Sequence, residues 1–312
     1  MRNRYIRLLF YAITILCLIF LSRSIFNLNI NWLVLLEKNV LLLYCVSVVI
    51  IIFCIYIGAY IYRKNMELLT GKQIQECVIN SIYIKANIGK YLPGNVFHFA
   101  GRNYLGKQFN LNQKALLGST ILQHVQSVTL SLLLPLILDF KIYRTIINLL
   151  KDLLGKTYIL IGGALITAII LLIIYFYKQF EIPFKELFIN FPKKSLGKII
   201  GNLLITGAYL LLYGISFFII TYSINSNGWD IRQFIMVIVS FIVAWFCGLI
   251  VIGAPGGIGV REVALLFLLR NAFSEADLMI IVVLHRFCTI SADALSFILE
   301  VIKEKIIKKT DD

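Results

Sequence analysis

The chain has 312 residues, 60% of them hydrophobic, with a mean hydropathy of +0.87 and a formal net charge of +14 at pH 7. Soluble domains sit nearer ~45–50% apolar, so an ordinary water-soluble globule is excluded. The basic surplus falls between apolar runs, where it meets anionic headgroups and sets orientation, so membrane lipid and not nucleic acid is the expected partner.

In chain order, the basic start and apolar stretch "MRNRYIRLLFYAITILCLIFLSRS" read as a retained first span, Ile6–Phe26. Leu21-Ser22-Arg23-Ser24 is not the small-x-small site that a cleaved signal peptide needs. A second span is expected at Val40–Tyr62. After it, Ile74, Val78 and Ile82 recur on one face while Gln73, Glu76, Asn80 and Asn87 take the other. That periodicity predicts an amphipathic helix at or dipping into the cytoplasmic interface. It ends at Gly89, and "KYLPGN" forces a turn through Pro93 and Gly94.

Further spans are expected at Gln113–Leu138, Thr157–Tyr177, Ile199–Tyr222 and Ile231–Ile252. A short helix near Arg261–Asn271 and a long one near Leu278–Ile302 follow. The fold class is therefore all-α: a polytopic integral membrane bundle of about 7–8 membrane helices. It forms one domain over residues 1–312, with interrupted, re-entrant elements near 89–102 and 253–262. Lys and Arg concentrate in the N-terminal tail, in Arg63–Lys114, in Lys178–Lys198 and after Val301. Arg23, Lys38, Lys141, Arg144, Lys151, Lys156 and Arg232 oppose them, which predicts cytoplasmic termini and an external Asp139–Lys156 loop.

Three spans carry polar stripes. At ~100° per residue, Thr120, Gln123, His124, Ser127 and Ser131 fall on one arc. Asn202, Thr206, Tyr209, Tyr213 and Ser216 form a second, and His285, Arg286, Thr289, Asp293, Ser296 and Glu300 a third. Such stripes either bond helices together or line a groove. Arg286 and Asp293 favour the groove, because ionisable groups at membrane depth face a cavity or a partner. The Thr157–Tyr177 span has almost no polar face and is expected to contact lipid.

The stretch "IGAPGGIGVREVALL" breaks an apolar run. Pro255 lacks an N–H, Gly256, Gly257 and Gly259 permit unusual backbone angles, and a helix can restart near Val260 with free N–H groups and Arg261 beside them. A helix start of that kind binds anions, and discontinuous helices build substrate sites this way. The alternative is a kinked hairpin with a snorkelling Arg261.

No catalytic constellation is evident. "LLGKTY" lacks the upstream glycine of a phosphate-binding loop, Glu262 stands where a dinucleotide fingerprint needs its last glycine, and there is no GxSxG elbow. The histidines, His98, His124 and His285, lie far apart. The cysteines, Cys17, Cys45, Cys54, Cys77, Cys247 and Cys288, form no CxxC pair. Neither a metal site, a cofactor nor a disulfide framework is expected.

The interrupted elements "KYLPGNVFHFAGR" and "APGGIGVRE", with the span count, resemble the transmembrane region of lysylphosphatidylglycerol synthases and the related stand-alone flippase-like membrane proteins. Pro255, Gly256, Gly257, Gly259, Arg261 and Glu262 carry the most specific part of the likeness, and Lys90 to Gly94 with Gly101 and Arg102 the second. The resemblance implies lipid translocation in a bacterial or archaeal cytoplasmic (inner) membrane. Proteins of envelope glycan or aminoacyl-lipid synthesis would be the partners. Those synthases add a soluble aminoacyl-transfer domain, and synthesis of the lipid is not expected of these 312 residues. The expected cargo is a lipid with a phosphate-bearing headgroup, a phospholipid or a polyprenyl-phosphate-linked sugar. Arg102, Arg261 and Arg286 would hold the phosphate, with Gly256, Gly257 and Gly259 shaping the turn. Glu262 and Asp293 would balance charge, bind a cationic headgroup or take protons, and His285 would lie beside them. Thr120, Gln123, His124, Ser127, Asn202, Tyr209 and Tyr213 would line the groove. The rival readings are a membrane glycosyltransferase and an accessory partner of an envelope glycan assembly system.

Overall fold

The computed structural model describes residues 37–91, 97–142, 144, 196–226, 228–250 and 255–311. The expected spans Ile6–Phe26 and Thr157–Tyr177, Pro93 and Gly94, and most of the Asp139–Lys156 loop lie outside the described residues. Among the described residues every regular element is helical. The helices are α1 (Lys38–Thr70), α2 (Glu76–Asn87), α3 (Phe97–Gln108), α4 (Gln113–Leu138), α5 (Leu196–Ile224), α6 (Ile231–Ile250), α7 (Val260–Leu269) and α8 (Glu275–Asp311). Short 3-10 turns at Ile88–Tyr91 and Pro255–Gly257 precede α3 and α7.

Five helices (α1, α4, α5, α6 and α8) are long and apolar enough to cross a membrane. With 33 residues, α1 is about 50 Å long, more than the ~30 Å hydrocarbon layer. It stops at Gly71, whose φ of 67° lets its N–H close onto the Glu67 carbonyl at 2.9 Å. The Asn112 side chain starts α4 by accepting from the N–H groups of Lys114 and Ala115. The last helix begins before the expected Leu278. Ser274 Oγ accepts from the Asp277 N–H at 3.1 Å, and Glu275 and Asp277 place negative charge in the first turn.

The bundle is organised around α1, which packs against α2, α4, α5 and α8, while α6 packs on α4, α5 and α7. Tyr62, Ile51, Met66, Leu116, Phe217 and Phe241 fill the core. The α2 helix departs from expectation. Ile79 to Ile84 are all buried, polar Asn80 and Ser81 included, because α2 sits between α1, α3 and α8 and does not lie flat on a surface. Its polar residues find protein partners. Ser81 and Lys85 both bond Glu304 on α8, and the Asn87 side chain donates to Asp293.

Candidate functional site

The Pro-Gly-Gly break is a tight turn in which only glycine is comfortable. Gly256, Gly257 and Gly259 have φ of 57°, 74° and 88°, in the left-handed region. Gly257 also lies on the backbone of Gly248 in α6, where an added Cβ would come within 3.2 Å of the Gly248 Cα and 3.3 Å of its carbonyl oxygen. The helix restarts at Val260, as the residues predict. Its first turn already holds an anion of its own, since Glu262 accepts from the Gly259 N–H at 2.6 Å. Arg286 arrives from α8, donating Nη2 to the Gly256 carbonyl at 3.1 Å with Nε 3.8 Å from Glu262.

The second break lies directly against the first. Gly256 faces the Lys90 carbonyl and the Tyr91 ring, each 3.7 Å from where its Cβ would stand. Three groups at the end of α2 converge on Asp293. They are the Lys90 ammonium at 2.6 Å, the Tyr91 hydroxyl at 2.5 Å and the Asn87 amide at 2.8 Å. Burial pulls the Lys90 ammonium below its ordinary pKa, and the Asp293 carboxylate works against that pull. Close approach at Gly89, where a Cβ would be 2.9 Å from the His98 N and the Phe97 C, brings the start of α3 in beside the turn. His98 and Arg102, one helical turn apart, then share a face.

These elements line a cavity of about 130 Å³. Its cationic lining is Lys90, Arg102, Arg261 and Arg286, and its rings include Tyr83, Tyr91, Tyr209, Tyr213 and Trp245. Arg102 is 2% exposed. It lies over the Tyr83 ring at 4.1 Å and the Tyr62 ring at 4.9 Å, and donates to Gln123 at 3.3 Å. The aromatic faces attract its charge without neutralising it. Lys90 has Asp293 and Arg286 has Glu262, but no carboxylate among the described residues pairs with Arg102 or Arg261. The Nε atoms of Arg102, Arg261 and Arg286, with His98 Nδ1, are buried and have no hydrogen-bond partner among the described residues. Each belongs to a residue lining the cavity. Burial and then the Arg102 charge push the His98 pKa down to about 2, so its ring is neutral.

The residues singled out from the sequence divide into two groups. Arg102, Arg261, Arg286, Gly256, Gln123, His124, Ser127, Tyr209 and Tyr213 line the cavity. The others stand behind it or away from it. Gly257, Gly259 and Glu262 shape the turn. Asp293, 4% exposed, is enclosed by the groups that bond it. His285 bonds Ser216 at 3.1 Å among the rings of Phe217 and Phe241. Thr120 bonds back to the Leu116 carbonyl. Asn202 donates at 2.9 Å to Asn65, which exchanges bonds with Gln126, and this amide knot ties α1, α4 and α5 together. Lys90, His98, Tyr83, Trp245 and Gly248 also line the cavity, beyond the site residues expected from the sequence. Lys90 and His98 lie within the quoted "KYLPGNVFHFAGR", so their signal was present, whereas Gly248 sits unmarked in the apolar α6.

No protein-family model matches the chain, and no curated protein matches its sequence.

Proposed function

We propose that the chain binds the phosphate-bearing headgroup of a membrane lipid in this cavity and carries that lipid between leaflets. One observation supports the reading above the rest. Guanidinium groups from α3, α7 and α8 converge on one small cavity, and in each the Nε is buried without a hydrogen-bond partner among the described residues. Unsatisfied buried donors cost ~1–3 kcal/mol each, more when charged, so a protein that retains three together has a use for an acceptor there. Arginine is suited to phosphate, since its planar fork meets two oxygens at once.

The five long apolar helices supply the membrane setting. A cavity of about 130 Å³ is close to the ~150 Å³ engineered void that holds one benzene, so it takes a headgroup phosphate and leaves the tails in lipid. The likeness of its two broken elements to flippase-like proteins points the same way. The glycosyltransferase reading needs a carboxylate free to act as a base on substrate. Asp293 is held by three donors and Glu262 by the Gly259 N–H, so both nearby carboxylates are committed.

The test is purified protein in liposomes carrying labelled phospholipids or polyprenyl-phosphate lipids, scored for leaflet exchange. Exchange above protein-free liposomes, lost on Arg261→Ala, is the expected result. Exchange no faster than in empty liposomes for every phosphate lipid tried would overturn the reading.

A further inference from the structure

Resting on the phosphate reading, we infer that the cavity selects a doubly charged terminal phosphate, a phosphomonoester, over a singly charged phosphodiester. The argument begins with charge. Lys90 is neutralised by Asp293 at 2.6 Å, and Arg286 stands 3.8 Å from Glu262. Arg102 and Arg261 have no carboxylate among the described residues, so the site carries two positive charges without protein counter-charge. His98 adds none, since its ring is neutral. Charges buried in an apolar bundle are stable only when matched, and two are matched by a dianion.

Shape and donor placement agree. The three arginines that line the cavity come from α3, α7 and α8, three separate elements around one space. A monoester offers three terminal oxygens to three directions and leaves through a single ester arm. A diester offers two, and its second arm must also pass out of a space of about 130 Å³. Rings share its walls with the cations, among them Tyr83, Tyr209 and Trp245. Selection by pairing every buried donor is the strong kind, because the wrong ligand leaves donors unmatched.

The same chemistry occurs on a lipid or in free phosphate, and the experiment separates them. Full-chain protein in detergent micelles is titrated with phosphatidic acid, a monoester, with phosphatidylmethanol, its diester differing by one methyl group, and with inorganic phosphate. Binding is read as a shift in melting temperature and by native mass spectrometry. Phosphatidic acid binding at least tenfold more tightly than phosphatidylmethanol supports the inference, and inorganic phosphate competing with it supports the dianion as the recognised group. Inorganic phosphate binding with neither lipid bound keeps dianion selection but overturns the lipid reading. Equal binding of the two lipids overturns dianion selection and leaves the phosphate-lipid reading standing. Binding of none overturns both. Arg102→Gln and Arg261→Gln each remove one unmatched charge, so each should weaken phosphatidic acid several-fold more than it weakens phosphatidylmethanol. Loss of both lipids in parallel would contradict charge matching. If either variant fails to fold, the wild-type contrast still decides.

Discussion

The arginine cavity and the amide knot are both polar and both buried in an apolar bundle, yet they differ in one respect. In the knot, Asn65, Gln126 and Asn202 exchange bonds of 2.9, 3.2 and 2.9 Å, and none of their side-chain atoms is left buried without a partner. In the cavity, three arginines and His98 each keep a buried nitrogen unmatched. Polarity alone does not separate these two regions, whereas hydrogen-bond satisfaction does. A satisfied network stabilises and specifies packing, and an unsatisfied one stores affinity for an acceptor.

The largest effect is expected where the frame of the cavity is broken. Gly257→Val puts a β-branched residue at a φ of 74° and against the Gly248 backbone. Left-handed strain of ~1–2 kcal/mol adds to overpacking of ~1–3 kcal/mol, so both folded yield and lipid transfer should collapse. Expression followed by size-exclusion chromatography reads the first, and wild-type yield would contradict the backbone contact.

Next come two changes that should act in opposite ways. Arg261→Ala removes the proposed charge-assisted contact with the ligand, worth ~1.5–3 kcal/mol, so transfer per folded molecule should fall at least tenfold. Stability should hold or rise, because an unmatched buried charge disappears. Asn65→Leu strands the amides of Gln126 and Asn202 and should cost ~1–3 kcal/mol of stability, leaving transfer per folded molecule unchanged. Thermal melting measured beside liposome transfer gives both numbers. The comparison fails if the two variants lose activity and stability in the same proportion.

Asp293→Asn sharpens it further. Asp293 does not line the cavity but holds Lys90, Tyr91 and Asn87. A neutral amide releases the Lys90 charge and loosens the turn, so transfer should drop about three- to tenfold, or ~0.7–1.4 kcal/mol, through position and not contact. A direct ligand role would instead give a loss as deep as that of Arg261→Ala.

Much of this was legible in the sequence for a physical reason. Long apolar runs, a Pro-Gly-Gly break and membrane-depth arginines are local signals, and they placed the five described spans, the restart at Val260 and the arginines of the cavity. What was not legible depends on pairing across the bundle. The stripe of α4 shows Thr120, Gln123 and Ser127 alike, but Thr120 bonds its own helix while Gln123 meets Gly58, Tyr83 and Arg102. No periodicity distinguishes those fates. Asn80 and Asn87 looked solvent-facing for the same reason, since one sequence cannot show that α8 runs alongside.

The smallest expected effect tests the fit of the frame itself. Gly248 is helical, and alanine there should gain ~0.5–1 kcal/mol by restricting the unfolded chain. Its new Cβ would stand 3.4 Å from the Gly257 Cα and 3.5 Å from both the Arg261 Cβ and Nε. Those are ordinary van der Waals contacts, so the backbone need not move. The methyl group would nonetheless stand against the Arg261 Nε at the wall of the cavity, where both residues lie. Gly248→Ala should therefore melt slightly higher than wild type and transfer lipid two- to fivefold more slowly, with Arg261 still present. Gain and loss together in one methyl group would place the cost at that nitrogen. A variant that melts higher and transfers at the wild-type rate would remove the Arg261 Nε from the site and leave its unmatched charge to be explained by packing.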